Sequence, residues 1–233
     1  MKRIVISGTY CTGKTTLSIA LSLATGIPTT HALIMREILP VLFPTKTLRQ
    51  CSYAQLLCLG MKRFEERIRF ESQFSSGFIS DGCTLQEWLY GSTRIYTGVY
   101  PDEYPWKLWI KRNLHFKSYR NFKLLLRSFE GMAKSYAKTH YDLFVHLPVE
   151  FPFVPDNHRP TSERFREHSE MQLVQTYQEL GIKPLVVSGT LIQRLEKLVS
   201  YLHIDPILPL PLAIAQAEEI RTLNFDQIPL ENT

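Results

Sequence analysis

The run Gly8-Thr9-Tyr10-Cys11-Thr12-Gly13-Lys14-Thr15 holds two glycines with four residues between them, then an ammonium and a hydroxyl. Residues of these types at this spacing suit one chemistry, the cradling of a polyphosphate. Gly8 lets the chain turn sharply, and Gly13 lets the backbone approach phosphate oxygens closely. Successive backbone N–H groups then converge as an anion nest at a helix N-terminus. Lys14 can reach the β- and γ-phosphates, the Thr15 hydroxyl can ligate Mg²⁺, and Thr16 can donate to the α-phosphate. The run from Gly8 to Thr16 is therefore expected to hold ATP or GTP together with Mg²⁺.

The flanking residues supply the context this motif requires. Lys2 to Ser7 carries Ile4, Val5 and Ile6 in succession, the pattern of a strand buried on both faces. After Gly13, Leu17, Ala20, Leu21 and Ala24 recur at helical spacing until Gly26 and Pro28 end the helix. Strand, loop and helix together are what makes the phosphate reading specific.

A second candidate is Asp81, which closes the strand-like GFISD. In a parallel sheet ligands bind beyond the carboxyl ends of strands. Asp81 would then face the phosphates, either holding Mg²⁺ or taking the proton of an attacking hydroxyl. Further candidates are the adjacent Arg36 and Glu37, as functional residues or as a solvated charged face, and Trp88 as a substrate platform or a core residue. Arg159, Arg164 and Arg166 cluster around the end of the proline-rich stretch from Pro148 to Pro160. Arginines on a mobile lid, here about residues 150–168, can close over a transferring phosphate.

Other segments are read more coarsely. Residues 30–39 are expected to be helical up to Pro40, and 52–74 to form a long helix. Its charged run KRFEERIRFE is read as a mostly solvated face with a pair between Glu65 and Arg69. Residues 100–115 are too rich in proline, aromatic and basic residues for a core element. They are expected to form a loop near the mouth of the site, with Trp106, Trp109, Lys111 and Arg112 exposed. A basic amphipathic helix follows over 122–138. Strands are expected over 141–147 and 183–187, with helices from Ser162 and up to Tyr201.

The order of these elements resembles that of P-loop small-molecule kinases of the NadR-like group, which includes the ribosylnicotinamide kinase domain. The resemblance rests on the glycine loop and on YDLFVHLPVEFPFVPDNHRP followed by KPLVVSG, and covers roughly residues 2–200. It implies an α/β fold of five parallel strands flanked by helices and transfer of a γ-phosphate to a hydroxyl of a small molecule. It also implies a lid segment carrying Pro152, Asp156 and Arg159, an acceptor-side pair at Arg36 and Glu37, and a strand-end carboxylate at Asp81. The chain departs from the family in SDGCTLQEW after the third strand, in a long insertion at about 100–138 and in a proline-rich tail. The expected division is a kinase domain over 1–203 and an extension over 204–233 that packs on the domain or on a partner.

The chain has 233 residues, enough for one α/β domain, with 44% hydrophobic and 21% charged residues. A net charge of +5 favours anionic ligands without choosing between nucleotides and nucleic acid. Four cysteines, Cys11, Cys51, Cys58 and Cys83, form no CxxC pair and are expected to be buried thiols of a cytoplasmic protein. No signal peptide or membrane-spanning run is expected. Three functions compete: a small-molecule kinase, with a nucleoside among its acceptors; a kinase acting on a polynucleotide end; and a regulatory NTPase.

Overall fold

The computed structural model describes residues 2–98, 104–114, 116–152 and 162–226. Five strands, β1 (Arg3–Ser7), β2 (Thr29–Thr30), β3 (Phe78–Asp81), β4 (Leu143–His146) and β5 (Leu185–Val186), form one sheet in the order β2-β3-β1-β4-β5. Every pairing is parallel, with Ile4 opposite both Ile79 and Leu143, and Ile6 opposite Asp81. All carboxyl ends therefore share one edge, and Gly8, His31, Gly82 and Leu147 leave the sheet there.

Alternation along β1 divides the core in two. Val5 joins Phe78 and Phe144 on one face. Against them pack α3 (Tyr53–Glu71), α4 (Thr84–Thr97), α6 (Phe116–His140) and α7 (Glu163–Leu180). Ile4 and Ile6 join Ile79 and Val145 on the other face, under α1 (Lys14–Thr25), α8 (Leu191–Leu202) and α9 (Leu210–Asp226). Each fully buried Leu or Ile contributes roughly 1.5–3 kcal/mol. Helix ends follow the sequence closely: Ser52 caps α3, Ser162 caps α7 and Thr190 caps α8 through side-chain oxygens.

Several expectations need correction. The segment expected to be a helix from residue 30 begins instead as the edge strand β2, and α2 runs over Met35–Leu42 with Pro40 inside it. The β-branched Thr29 and Thr30 find partners on β3, and the exposed Pro40 costs the helix one hydrogen bond. Residues 105–114, expected to be a loop, form α5 (Pro105–Leu114). Proline at the first helical position loses no intrahelical bond there. Trp106 and Trp109 are exposed as expected. Among the described residues, none of α5 or α6 lines the cavity described below. The stripe Phe122, Leu126, Phe129, Ala133 and Ala137 packs α6 against the flank of the domain.

The charged run of α3 is not a solvated face. Arg67 and Glu71 are each 2% exposed, and Arg69 pairs with Glu66, not Glu65. Among the cysteines, Cys51 and Cys83 are buried, Cys11 is half-buried and Cys58 is exposed; no disulfide joins them. The tail forms α9, which packs along α1 with Ala213 and Ala217 fully buried. Among the described residues, no helix is long and apolar enough to cross a membrane.

Candidate active site

The loop from Gly8 to Thr15 leaves β1 in a conformation its two glycines make possible. Gly8 has φ +143°, and a Cβ there would lie 2.5 Å from the carbonyl oxygen of Leu147. Gly13, at φ +87°, stands just before α1, whose first residues are Lys14, Thr15 and Thr16. The loop is braced from inside and outside. Thr12 Oγ1 donates to the Thr9 carbonyl at 3.0 Å, and Lys14 Nζ donates to the same oxygen. Arg194 of α8 donates to the Thr12 carbonyl at 2.6 Å and to Glu150 at 2.6 Å, while Gln86 donates to the Gly8 carbonyl. Cys11 takes positive φ at the loop tip, and Tyr10 stacks on Tyr90 at 4.4 Å.

Asp81 stands where β3 ends. Thr15 Oγ1 donates to its Oδ2 at 2.7 Å, and His31 Nδ1 lies 3.4 Å from the same oxygen. Burial pushes the Asp81 carboxyl up. The hydrogen bond and charge of His31, the Lys14 ammonium and the Thr15 hydroxyl outweigh this and hold it well below the ordinary carboxylate range. A carboxylate held in its charged form beside a hydroxyl suits a hard cation. Mg²⁺ takes few protein oxygens and fills its remaining positions with phosphate and water, so Thr15 and Asp81 fit it.

Beyond this floor opens a cavity of about 390 Å³, lined by Tyr10, Lys14, Thr15, Asp81, the β2–α2 segment and one face each of α3 and α4. Arg36 and Glu37 both line it, with the Glu37 carboxylate accepting the Ile34 N–H at 2.7 Å. Its side wall is a buried ionic cluster. Arg67 Nη2 donates to Glu87 Oε1 at 2.8 Å, and Arg63 Nε lies 3.1 Å from Glu87 Oε2. Arg67 Nη1 also donates to Ser80 Oγ and to the carbonyls of Asp81 and Gly82, at 2.8, 3.1 and 3.0 Å. Burial works against the Arg67 charge, and its neighbours Glu87, Tyr141 and Glu71, with Glu87 foremost, together more than restore it. Arg67 thereby fixes the backbone that carries Asp81.

Other expected site residues lie elsewhere. Trp88 is 7% exposed in the core cluster and does not line the cavity, because its position on α4 faces α6 rather than the site. Arg164 is exposed in the first turn of α7. Arg166 is 2% exposed and donates to the Phe151 carbonyl at 2.8 Å and to Glu163 at 2.6 Å, a brace rather than a cavity wall. Asp156 and Arg159 lie outside the described residues. Sequence reasoning missed His31, Arg63, Arg67, Glu87, Arg94 and Arg194. For His31 a signal existed: it follows a strand end, but the helical reading of that segment concealed the strand.

Comparison with known proteins agrees with this architecture. The AAA domain family model matches residues 3–194. Deoxyadenosine kinase from M. mycoides with bound dATP superposes with a TM-score of 0.56 at 12% identity, covering 87% of this chain and 100% of that one. The same enzyme with dCMP and a flexible dCDP gives 0.55 at 12% identity, covering 86% and 98%. No curated protein is detectably similar in sequence. At such identity the superpositions speak for the fold, a five-stranded parallel sheet of the nucleoside-kinase kind. The NadR-like resemblance names a narrower group than the matched model, and these comparisons bear on the broader one. With the family model spanning β1, the glycine loop and α7, this chain belongs to the AAA domain family of P-loop proteins.

Proposed function

We propose that this protein is a Mg²⁺-dependent phosphotransferase that moves the γ-phosphoryl group of ATP or GTP to a hydroxyl of a small molecule, with nucleosides the first class to test. The observation that carries the reading is the position of Lys14, Thr15 and Asp81 on the floor of a cavity large enough for an acceptor. An NTPase needs the floor but not the chamber.

The backbone amides from Gly8 to Thr16 would hold the donor, and Lys14 would leave its resting contact on the Thr9 carbonyl to meet the phosphates. Thr15 and Asp81 would hold Mg²⁺, which when bound offsets negative charge on the phosphate oxygens. Asp81 suits this role because its carboxylate already accepts the Thr15 hydroxyl at 2.7 Å, which sets the two oxygens side by side. Loose phosphoryl transfer asks more for positioning than for proton removal. The β2–α2 segment, α3 and α4 would hold the acceptor hydroxyl over the floor.

Incubation with Mg²⁺-ATP and a pool of nucleosides and hydroxylated metabolites, read by mass spectrometry, tests this directly. A pool member gaining one phosphate is the expected result. ADP formed without any phosphorylated product would replace the reading with that of an NTPase. One observation favours a second reading, an oligonucleotide end as acceptor: Trp106 and Trp109 are 59% and 67% exposed on the basic helix α5. That reading requires oligonucleotide affinity that falls steeply with salt.

A further inference from the structure

Helix α6 carries apolar side chains on more than one face. Phe122, Leu126, Phe129, Ala133 and Ala137 recur at helical spacing and pack it on the domain. A helix that only covers a core needs no other apolar stripe. Yet Leu124, Leu125 and Met132 are each more than half exposed. Leu125 and Met132 are two helical turns apart on one outward stripe. Leu124 stands on the neighbouring stripe with Lys117, Arg120 and Arg127, all exposed, over a length of about 15 Å. Just before α6 comes α5, where Trp106 and Trp109 are exposed one turn apart and Leu114 is exposed at the end.

The same segment holds the chain's excess of positive charge. Between Glu103 and Glu130 the sequence has seven lysine and arginine residues and no aspartate or glutamate. The rest of the chain is left with 20 basic residues against 22 acidic ones, so the net +5 resides here. Among the described residues, none of α5 or α6 lines the cavity, so this charge serves something outside the candidate active site.

We propose that the outer face of α6, together with α5, rests on an anionic phospholipid surface. Tryptophan settles at the level of the headgroups, leucine and methionine enter the edge of the acyl region, and lysine and arginine meet the headgroup phosphates. A helix with this mixture lies in the plane of the interface rather than across it. An oligonucleotide would use the basic residues and the indole rings. It offers nothing to Leu114, Leu124, Leu125 and Met132, because bases stack on flat rings and not on aliphatic chains. The exposed aliphatic residues therefore decide for lipid.

The test sediments the full chain with vesicles of phosphatidylcholine alone and with vesicles of equal parts phosphatidylcholine and phosphatidylserine. The anionic vesicles should bind at least about tenfold more tightly, and added salt should weaken that binding. Tryptophan emission should move to shorter wavelength on binding, and the change reports Trp106 and Trp109, since Trp88 is already buried. Each basic residue near the surface contributes roughly fivefold, so Arg120→Gln with Arg127→Gln should weaken binding about 25-fold. Leu124→Ser with Leu125→Ser should weaken it about tenfold. All four positions are exposed, so thermal melts should be unchanged. Equal binding to both kinds of vesicle, or to neither, would overturn the proposal. So would affinity undiminished in both variants, or lost in the arginine variant alone with unmoved tryptophan emission. A single-stranded oligonucleotide bound more tightly than the anionic vesicles, through the same arginines, would assign the surface to nucleic acid instead. None of these results bears on phosphoryl transfer to a small molecule, which the cavity alone supports.

Discussion

Arg67→Met removes the hub of the cavity's side wall while keeping much of its volume. In the native protein the Arg67 guanidinium, 2% exposed, contacts Glu87 twice, Ser80 Oγ once and two carbonyls at the end of β3. The substitution leaves the Glu87 carboxylate, whose side chain is 1% exposed, with Arg63 as its remaining ionic partner. Breaking one side of a buried pair costs about 3–5 kcal/mol. A domain of this size is stable by about 5–15 kcal/mol, so the variant should still fold but lose a large part of its margin. Glu87→Leu alone should cost a comparable amount, because it leaves the Arg67 charge buried. The double substitution should lose less than the sum of the two, since both charges leave together and the buried Glu71 carboxylate, 4.0 Å from Arg67 Nη1, keeps its bonds from Ser80 and Tyr141. Urea unfolding followed by circular dichroism on the wild type and the three variants closes the cycle. An Arg67→Met cost below about 1 kcal/mol, or additivity within about 0.5 kcal/mol, would refute the argument that the pair is held as a coupled buried unit.

Three other outcomes follow from the site and the fold. Lys14→Ala should abolish phosphoryl transfer with an unchanged thermal melt, and retained turnover would remove Lys14 from the donor site. Asp81→Asn should weaken Mg²⁺-dependent nucleotide binding and lower turnover by about 10²–10³; lost turnover with unchanged Mg²⁺-nucleotide affinity would instead assign Asp81 as the base. Burial pushes the Cys83 thiol up to about 11. Iodoacetamide at pH 8 should therefore modify the exposed Cys58 first and spare Cys83, as peptide mapping would show.

The glycine loop of the candidate site was legible because it is contiguous. Gly8 to Thr16 carry their meaning in their own spacing, and the strand before them and helix after them are written in local periodicity. Asp81 was reachable through one topological rule, that strand ends face the ligand. The rest of the cavity wall was not legible, because topology rather than sequence brings its parts together. Arg63 and Arg67 read as surface charge until α3 is seen to turn them toward Glu87 on α4. Arg194 braces a loop 182 residues away. Trp88, read as a platform or core, lies in the core because α6 covers its side of α4. Pro105, the first residue of α5, misled because proline opposes helix in the interior and not at the first turn.

Helix α9 has a practical consequence. The Ile207 N–H donates to the Ala24 carbonyl at 2.8 Å, so α9 starts beside the end of α1. It then runs back along α1, and Asn224 reaches the cavity lining. Lys2 lies at the opposite edge of the sheet, where β1 begins. A fluorophore on a cysteine placed at Asn224, with Cys58 first replaced, would therefore watch the cavity fill from its rim. The same dye beside Lys2 would serve as the silent control.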